Sequence, residues 1–161
     1  MRLLALVVTV IALSACQGAA EYAQALAESS VPVGSRLILN QSLSIPSDTA
    51  HVRLQSGEIR SAGAIKQYYP NCNFRLRTRT DAPQKLEPDT FIIFKVEYGK
   101  DIVAGDNVQR YYSEMHLRSE KQPNVFMLAC QQWNKPPDSS YVTVDQIRVV
   151  LGEIFILELA E

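Results

Sequence analysis

The sequence lacks the residues and spacings that mark several functional classes. Its 16 basic and 17 acidic side chains nearly balance, so composition gives no reason to expect nucleic-acid binding or a general attraction to anionic membranes. Its three cysteines include no Cys-x-x-Cys pair, the spacing typical of redox and zinc centres. There is no Gly-x-Ser-x-Gly motif, which excludes the usual nucleophile elbow. No apolar run approaches the roughly 18 residues of a transmembrane helix.

The N-terminus carries a targeting pattern. Arg2 precedes an apolar run of about ten residues from Leu3 to Ala12, roughly half of what a membrane span needs, so the run is typical of a signal peptide. The next four residues, Leu13-Ser14-Ala15-Cys16, resemble the lipobox of bacterial lipoproteins. The resemblance implies cleavage before Cys16 and attachment of a diacylglycerol and a fatty acid such as palmitate to that residue. Gln17, which is not aspartate, implies sorting to the outer membrane.

The alternative is an ordinary secretory peptide cleaved after Ala15. Leu13 disfavours it, because a small residue is preferred at that position. The expected organisation is therefore a lipoprotein signal peptide at residues 1–15, a tether at 16–34 and a single β-rich domain at 35–161. The expected location is the outer membrane, facing the periplasm and held there by lipid, since two or more acyl chains anchor stably where one is marginal.

Alternation of apolar and polar residues predicts strands from Ser35 onward. The pattern covers Leu37–Leu39, Leu43–Ile45 and Ala50–Leu54, and then the following longer runs: Cys72–Thr80, Phe91–Tyr98, Arg110–Arg118, Val125–Gln131 and Ile154–Leu159. Short strands separated by turn residues indicate an antiparallel β-sandwich or barrel. One short C-terminal helix is also predicted. Thr143 and Gln146 form a capping-box pattern, and Gly152 is the expected stop.

Cys72 and Cys130 predict a disulfide, because an exported chain meets an oxidising compartment. Alternation places Cys72 on one strand face with Phe74, and Cys130 on one face with Phe126 and Leu128, so both sulfurs are expected to point into the core. The alternative is a redox or metal-binding thiol pair. It is disfavoured by the spacing and by the lack of a neighbouring histidine.

A basic stripe is the first candidate binding surface. Arg75, Arg77 and Arg79 alternate along one predicted strand and would share a face. Arginine binds phosphate or carboxylate through two parallel hydrogen bonds, so the stripe suits an anionic lipid head group, an acidic glycan or an acidic partner. The alternative is a solvated face whose charge is offset by Glu97 or Glu114 on neighbouring strands.

Aromatic residues form the second candidate surface. Tyr111, Tyr112 and Trp133 are residue types that are common where proteins bind partners or glycans. They are equally common as packing residues at strand ends, and Trp133 is close enough in sequence to Cys130 to pack over the disulfide.

No metal, cofactor or catalytic group is predicted. His51 and His116 have polar neighbours and are expected to be exposed. Met115, His116 and Met127 lack the Cys-His-Met order of copper sites. Asp101 and Asp106 are expected to be solvated in a hairpin loop.

Three segments resemble uncharacterised proteobacterial lipoproteins: Leu43-x-Ile45-Pro46, Tyr69-Pro70-x-Cys72-x-Phe74 and Cys130-x-x-Trp133-x-x-Pro136. The resemblance supports the lipid anchor and the disulfide but implies no activity. The expected function is that of a non-enzymatic accessory or interaction lipoprotein in envelope maintenance or assembly, with an envelope protein as partner. A lipid- or glycan-binding lipoprotein is the first alternative, and a hydrolase of envelope polymers is the second.

Overall fold

A computed structural model describes residues 27–105, 107–137 and 140–161. The predicted signal peptide, Cys16 and most of the tether lie outside these residues. The described chain is mainly β, as predicted. It also contains a helix of two turns, α1 (Val144–Leu151), helical residues at 27–29 and a 3₁₀ turn at Ala62–Ala64. Ten strands are present: β1 (Arg36–Leu39), β2 (Leu43–Ile45), β3 (His51–Gln55), β4 (Glu58–Arg60), β5 (Asn71–Leu76), β6 (Gln84–Leu86), β7 (Asp89–Ala104), β8 (Val108–Arg118), β9 (Val125–Asn134) and β10 (Phe155–Glu158).

Eight strands form one antiparallel sheet in the order β10-β1-β7-β8-β9-β5-β3-β4, while β2 pairs with β6 in a separate ribbon. The large sheet is curled. Its ends approach each other, because α1 contacts β3 and β5 near one end and β10 at the other. The sheet therefore has an inward face, closed over by α1, and an outward face.

The phenylalanine core shows how strongly the sheet curls. Phe74 on β5 lies 5.8 Å from Phe91 on β7 and 4.8 Å from Phe155 on β10, measured between ring centroids. In a flat sheet the strand spacing of about 4.8 Å would separate β5 from β7 by about 14 Å. All three rings are at most 1% exposed. Burying each side chain stabilises the fold by roughly 2–3 kcal/mol.

The helix confirms the predicted capping box. The Gln146 amide donates to Thr143 Oγ1 at 3.3 Å, and the Thr143 amide donates to Gln146 Oε1 at 2.9 Å. Gly152 ends the helix, as predicted, with a φ of 55°. The face formed by Val144, Ile147, Val150 and Leu151 is buried. Within the described residues, no helix has the length and apolarity to cross a membrane.

The disulfide is also confirmed. Cys72 on β5 and Cys130 on β9 are directly opposed partners, and their sulfurs are bonded across a sequence separation of 58 residues. Both side chains face inward and are fully buried. The bond therefore fastens two neighbouring strands at the centre of the large sheet.

The short strands β4 and β6 are not predicted from the sequence, and two predicted strands have different ends in the structure. The strand predicted at Cys72–Thr80 ends at Leu76. Its two neighbours, β3 and β9, begin at His51 and Val125, so neither pairs with the chain beyond Leu76. The strand predicted at Phe91–Tyr98 extends to Ala104, which places Asp101 in the ladder opposite Arg110 instead of in a loop.

A β-bulge corrects the predicted face of Phe126. Arg75 pairs with Met127 and Leu76 pairs with Val125, so Phe126 is the extra residue of the bulge. It turns outward, where its ring packs on His116 at a centroid distance of 5.6 Å. Of the three residues predicted to share the inward face of this strand, Leu128 and Cys130 face inward and Phe126 does not.

Candidate functional site

The outward face of the large sheet contains a groove of about 190 Å³ at its centre. Strands β3, β5, β8 and β9 contribute its walls, which include His51, Arg53, Asn73, Arg75, Tyr112 and Glu114. Ala129 forms the floor. Register explains the hollow, because Ala129 pairs with Asn73 on one side and with Glu114 on the other. A methyl group between longer side chains leaves space above the sheet.

One wall of the groove is cationic. Arg53 pairs with Asn73 across β3 and β5, while Arg75 pairs with His51, so the two guanidinium groups are diagonal neighbours. In the described part of the chain, no carboxylate lies within 4.0 Å of either guanidinium. The pKa of His51 is lowered, first by burial and then by repulsion from Arg53 and Arg75. His51 is therefore held neutral beside two uncompensated cations.

Two polar atoms of the groove residues lack partners. His51 Nε2 and Asn73 Oδ1 are inaccessible to solvent and make no hydrogen bond to any described residue. Buried polar atoms are normally satisfied, because an unsatisfied one costs about 1–3 kcal/mol. Two unsatisfied atoms thus lie next to the unpaired cations, although neither is accessible to solvent.

The opposite wall is acidic. Glu114 on β8 pairs with Glu97 on β7. Lys95 and His116 bind the Glu97 carboxylate at 2.9 and 2.8 Å, and these hydrogen bonds, that of Lys95 first, lower the pKa of Glu97. Glu114 forms no ion pair with a described residue. Glu97, Glu114 and His116 offer ligand atoms within 4.8 Å of one another, but Lys95 already neutralises Glu97.

Arg110 also borders the groove, but Asp101 neutralises its charge. Arg110 donates from Nε to Asp101 Oδ1 at 3.0 Å and from Nη2 to Asp101 Oδ2 at 2.5 Å. Its guanidinium also lies 4.9 Å from the centroid of the Tyr112 ring. Tyr112 lies across Gly99, where a side chain of any size would collide with the ring. Gly99 therefore allows Tyr112 to lie flat over β7, away from the groove floor.

The predicted basic stripe is not continuous. Arg75 lies in the groove, but Arg77 follows the end of β5 and packs over the Phe126 ring at 5.0 Å. Arg79 lies in an exposed loop. Arg75 is instead joined by Arg53 from the neighbouring strand. Of the acids expected to offset the stripe, Glu114 lines the groove and Glu97 binds Lys95 and His116.

The predicted aromatic residues are also divided between faces. Tyr111 is 7% exposed and faces inward, where its ring contacts Tyr141. Tyr112 faces outward at the groove. Trp133 faces outward and packs edge-on against Tyr68 at 5.9 Å, whereas Cys130 faces inward. Trp133 therefore does not pack over the disulfide.

Both histidines are less exposed than predicted. His51 and His116 are each partly buried on the outward face. Met115, opposite Leu128, is fully buried on the inward face, so the sheet separates it from His116. Met115 and His116, which the sequence analysis considered together with Met127 as copper ligands, therefore do not lie on the same face of the sheet.

Sequence reasoning missed His51, Arg53 and Glu114 as members of one site. Alternation in β3 places His51 and Arg53 on a polar face, but the pairing of β3 with β5 was needed to bring them to Arg75. Comparison with protein families, with curated proteins and with solved structures finds no match to this chain. The site must therefore be interpreted from its own chemistry.

Proposed function

We propose that this chain is a non-enzymatic lipoprotein of the outer membrane that faces the periplasm and binds a component of the cell envelope through the groove. The observation that carries the proposal is the pair of uncompensated arginines, Arg53 and Arg75, beside unsatisfied polar atoms. An anionic group supplied from outside would pair with the two guanidinium groups. The lipobox resemblance at Leu13-Ser14-Ala15-Cys16 and the disulfide between Cys72 and Cys130 support export and anchoring.

Anchoring would make modest affinity sufficient. A domain confined to one membrane leaflet meets a neighbouring envelope component at a raised effective concentration. An accessory or interaction role in envelope maintenance or assembly is compatible with such binding. The small size of the groove also favours the alternative, a lipid- or glycan-binding lipoprotein, because only a small charged group fits above Ala129.

Membrane fractionation tests the anchor. Cys16→Ser is expected to move the protein from the membrane fraction to the soluble periplasmic fraction, because the acceptor for the lipid is lost. Full membrane retention of the variant would contradict the lipoprotein proposal.

In-cell photo-crosslinking tests the surface. A probe at Tyr112, beside the groove, is expected to capture one reproducible envelope component. A probe at Val149, 68% exposed on α1, is the control position. Capture at Tyr112 should be lost when Arg53 and Arg75 are both replaced by Gln. Equal capture at both positions, or capture that survives the double substitution, would argue against the groove.

A further inference from the structure

Opposite charges are separated across the groove. Arg53 and Arg75 stand on β3 and β5, and Glu114 stands on β8 with Ala129 between them. β5 and β8 are two strand spacings apart, about 10 Å between backbones. The groove between the two walls has room for a small group that touches both.

The cationic wall is suited to an anion. Arg53 and Arg75 can each offer two parallel N–H donors to a phosphate or carboxylate. A bare anion, however, would also face the unpaired carboxylate of Glu114, which would repel it.

A cationic amine on the same ligand turns that repulsion into attraction. The Glu114 carboxylate is free to accept a hydrogen bond from an ammonium group. The two walls thus match the two ends of a dipolar ligand, with Arg53 and Arg75 at the anion and Glu114 at the amine.

We infer that the groove recognises a group in which an anion and a primary ammonium are close neighbours, as in phosphoethanolamine. The inference rests on the proposed function, since it specifies what the outward face receives. Arg53 and Arg75 bind the anion, Glu114 binds the ammonium, and Ala129 provides the space between them. Such a group can come from a phospholipid head group or from a soluble or glycan-linked phosphoethanolamine.

Calorimetry on the full chain carrying Cys16→Ser tests the site without the lipid. The probes are O-phosphoethanolamine and inorganic phosphate. Phosphoethanolamine is expected to bind at least tenfold more tightly than phosphate. Arg75→Gln should weaken both probes at least tenfold. Glu114→Gln should weaken phosphoethanolamine about tenfold and strengthen phosphate several-fold, because it removes both an attraction and a repulsion.

Arg79→Gln is the matched control, because it removes the same charge from an exposed loop outside the groove and should change neither affinity. The variants should melt within a few degrees of the parent, since the replaced side chains face outward. Equal affinity for the two probes, or insensitivity of phosphoethanolamine binding to Glu114→Gln, would overturn the inference.

Vesicle flotation distinguishes the two sources. Binding to phosphatidylethanolamine vesicles but not to phosphatidylcholine vesicles, abolished by Arg75→Gln, supports a lipid head group. Phosphoethanolamine binding in solution without vesicle binding supports a soluble or glycan-linked source. Both measurements use the Cys16→Ser chain, so a failure of the membrane-anchor proposal would appear only in fractionation and not in these data.

Discussion

Gly57 and Gly152 meet backbone to backbone, so that a β-carbon on Gly152 would lie 2.5 Å from the α-carbon of Gly57. The Gly57 amide also donates to the carbonyl of Val150 at 3.0 Å. The β3–β4 turn is thereby joined to the C-terminal end of α1, and β10 follows α1 directly. This contact connects one end of the large sheet to the other and helps to maintain its curl.

Gly152→Ala should destabilise the protein by about 2–4 kcal/mol, because the new methyl group meets backbone and the φ of Gly152 is positive. Gly63→Ala is the control, since a methyl group on Gly63 would meet no atom within 4 Å and the φ of Gly63 is not positive. Urea denaturation of both variants measures the difference. Equal stability of Gly152→Ala and the parent would show that the close approach is not required.

Removal of the disulfide should cost roughly 4 kcal/mol in the chain-entropy view, given the 58-residue separation. The test compares the parent with Cys72→Ala/Cys130→Ala, which leaves no buried thiol or hydroxyl. Reductant should lower the melting temperature of the parent and leave that of the double variant unchanged. If parent and double variant melt together in the absence of reductant, the bond does not stabilise the fold.

Much of the fold follows from local sequence pattern. Alternation identifies the strands, Thr143 and Gln146 identify the helix start, and the inward positions of Cys72 and Cys130 indicate the disulfide. These features depend on neighbours in sequence or on the two-residue period of a strand. The strand ends and the Phe126 bulge differ, because both depend on where the partner strand begins. The three-residue strands β4 and β6 are not predicted, because they are too short to show a clear alternation.

The groove depends on register between strands that are distant in sequence. Arg53, Arg75 and Glu114 are brought together because Asn73 and Ala129 lie in one row across the sheet. A shift of one residue in either pairing would turn the opposing side chains to the other face. The pattern within a single strand does not show which residues of other strands lie beside it. The sequence therefore predicts a basic stripe along β5, whereas in the structure Arg53 on β3 lies beside Arg75 on β5.

Gly99→Ala should displace the Tyr112 ring, because the added methyl would occupy the position of the ring. The stability change should be small, within about 1 kcal/mol, since a partly exposed side chain can move and alanine is less costly than glycine in a strand. The Tyr112 ring resonances in NMR should shift, and the Arg110 stack on the ring should weaken. Gly105→Ala, with open space around its β-carbon, is the control. Unchanged Tyr112 resonances in Gly99→Ala would contradict the contact.

Ligand binding should be coupled to protonation of His51. Burial, followed by Arg53 and Arg75, lowers the pKa of His51 from its ordinary value of 6.5, so the free protein resists protonation. Its contribution to stability is therefore present above pH 6.5 and is lost as the pH falls from there through the folded pKa. An anion between the two guanidinium groups reduces their repulsion and raises the pKa, so binding should take up a proton.

Ethanolamine O-sulfate is a suitable probe for this coupling, because its sulfate does not titrate near neutral pH. Calorimetry in two buffers of different ionisation enthalpy should detect proton uptake below pH 6.5, where histidine changes charge. The affinity of ethanolamine O-sulfate should rise as the pH falls below 6.5. His51→Gln keeps a polar side chain in the groove but cannot titrate, so both effects should disappear. Proton uptake that persists in His51→Gln would assign the linkage to another group.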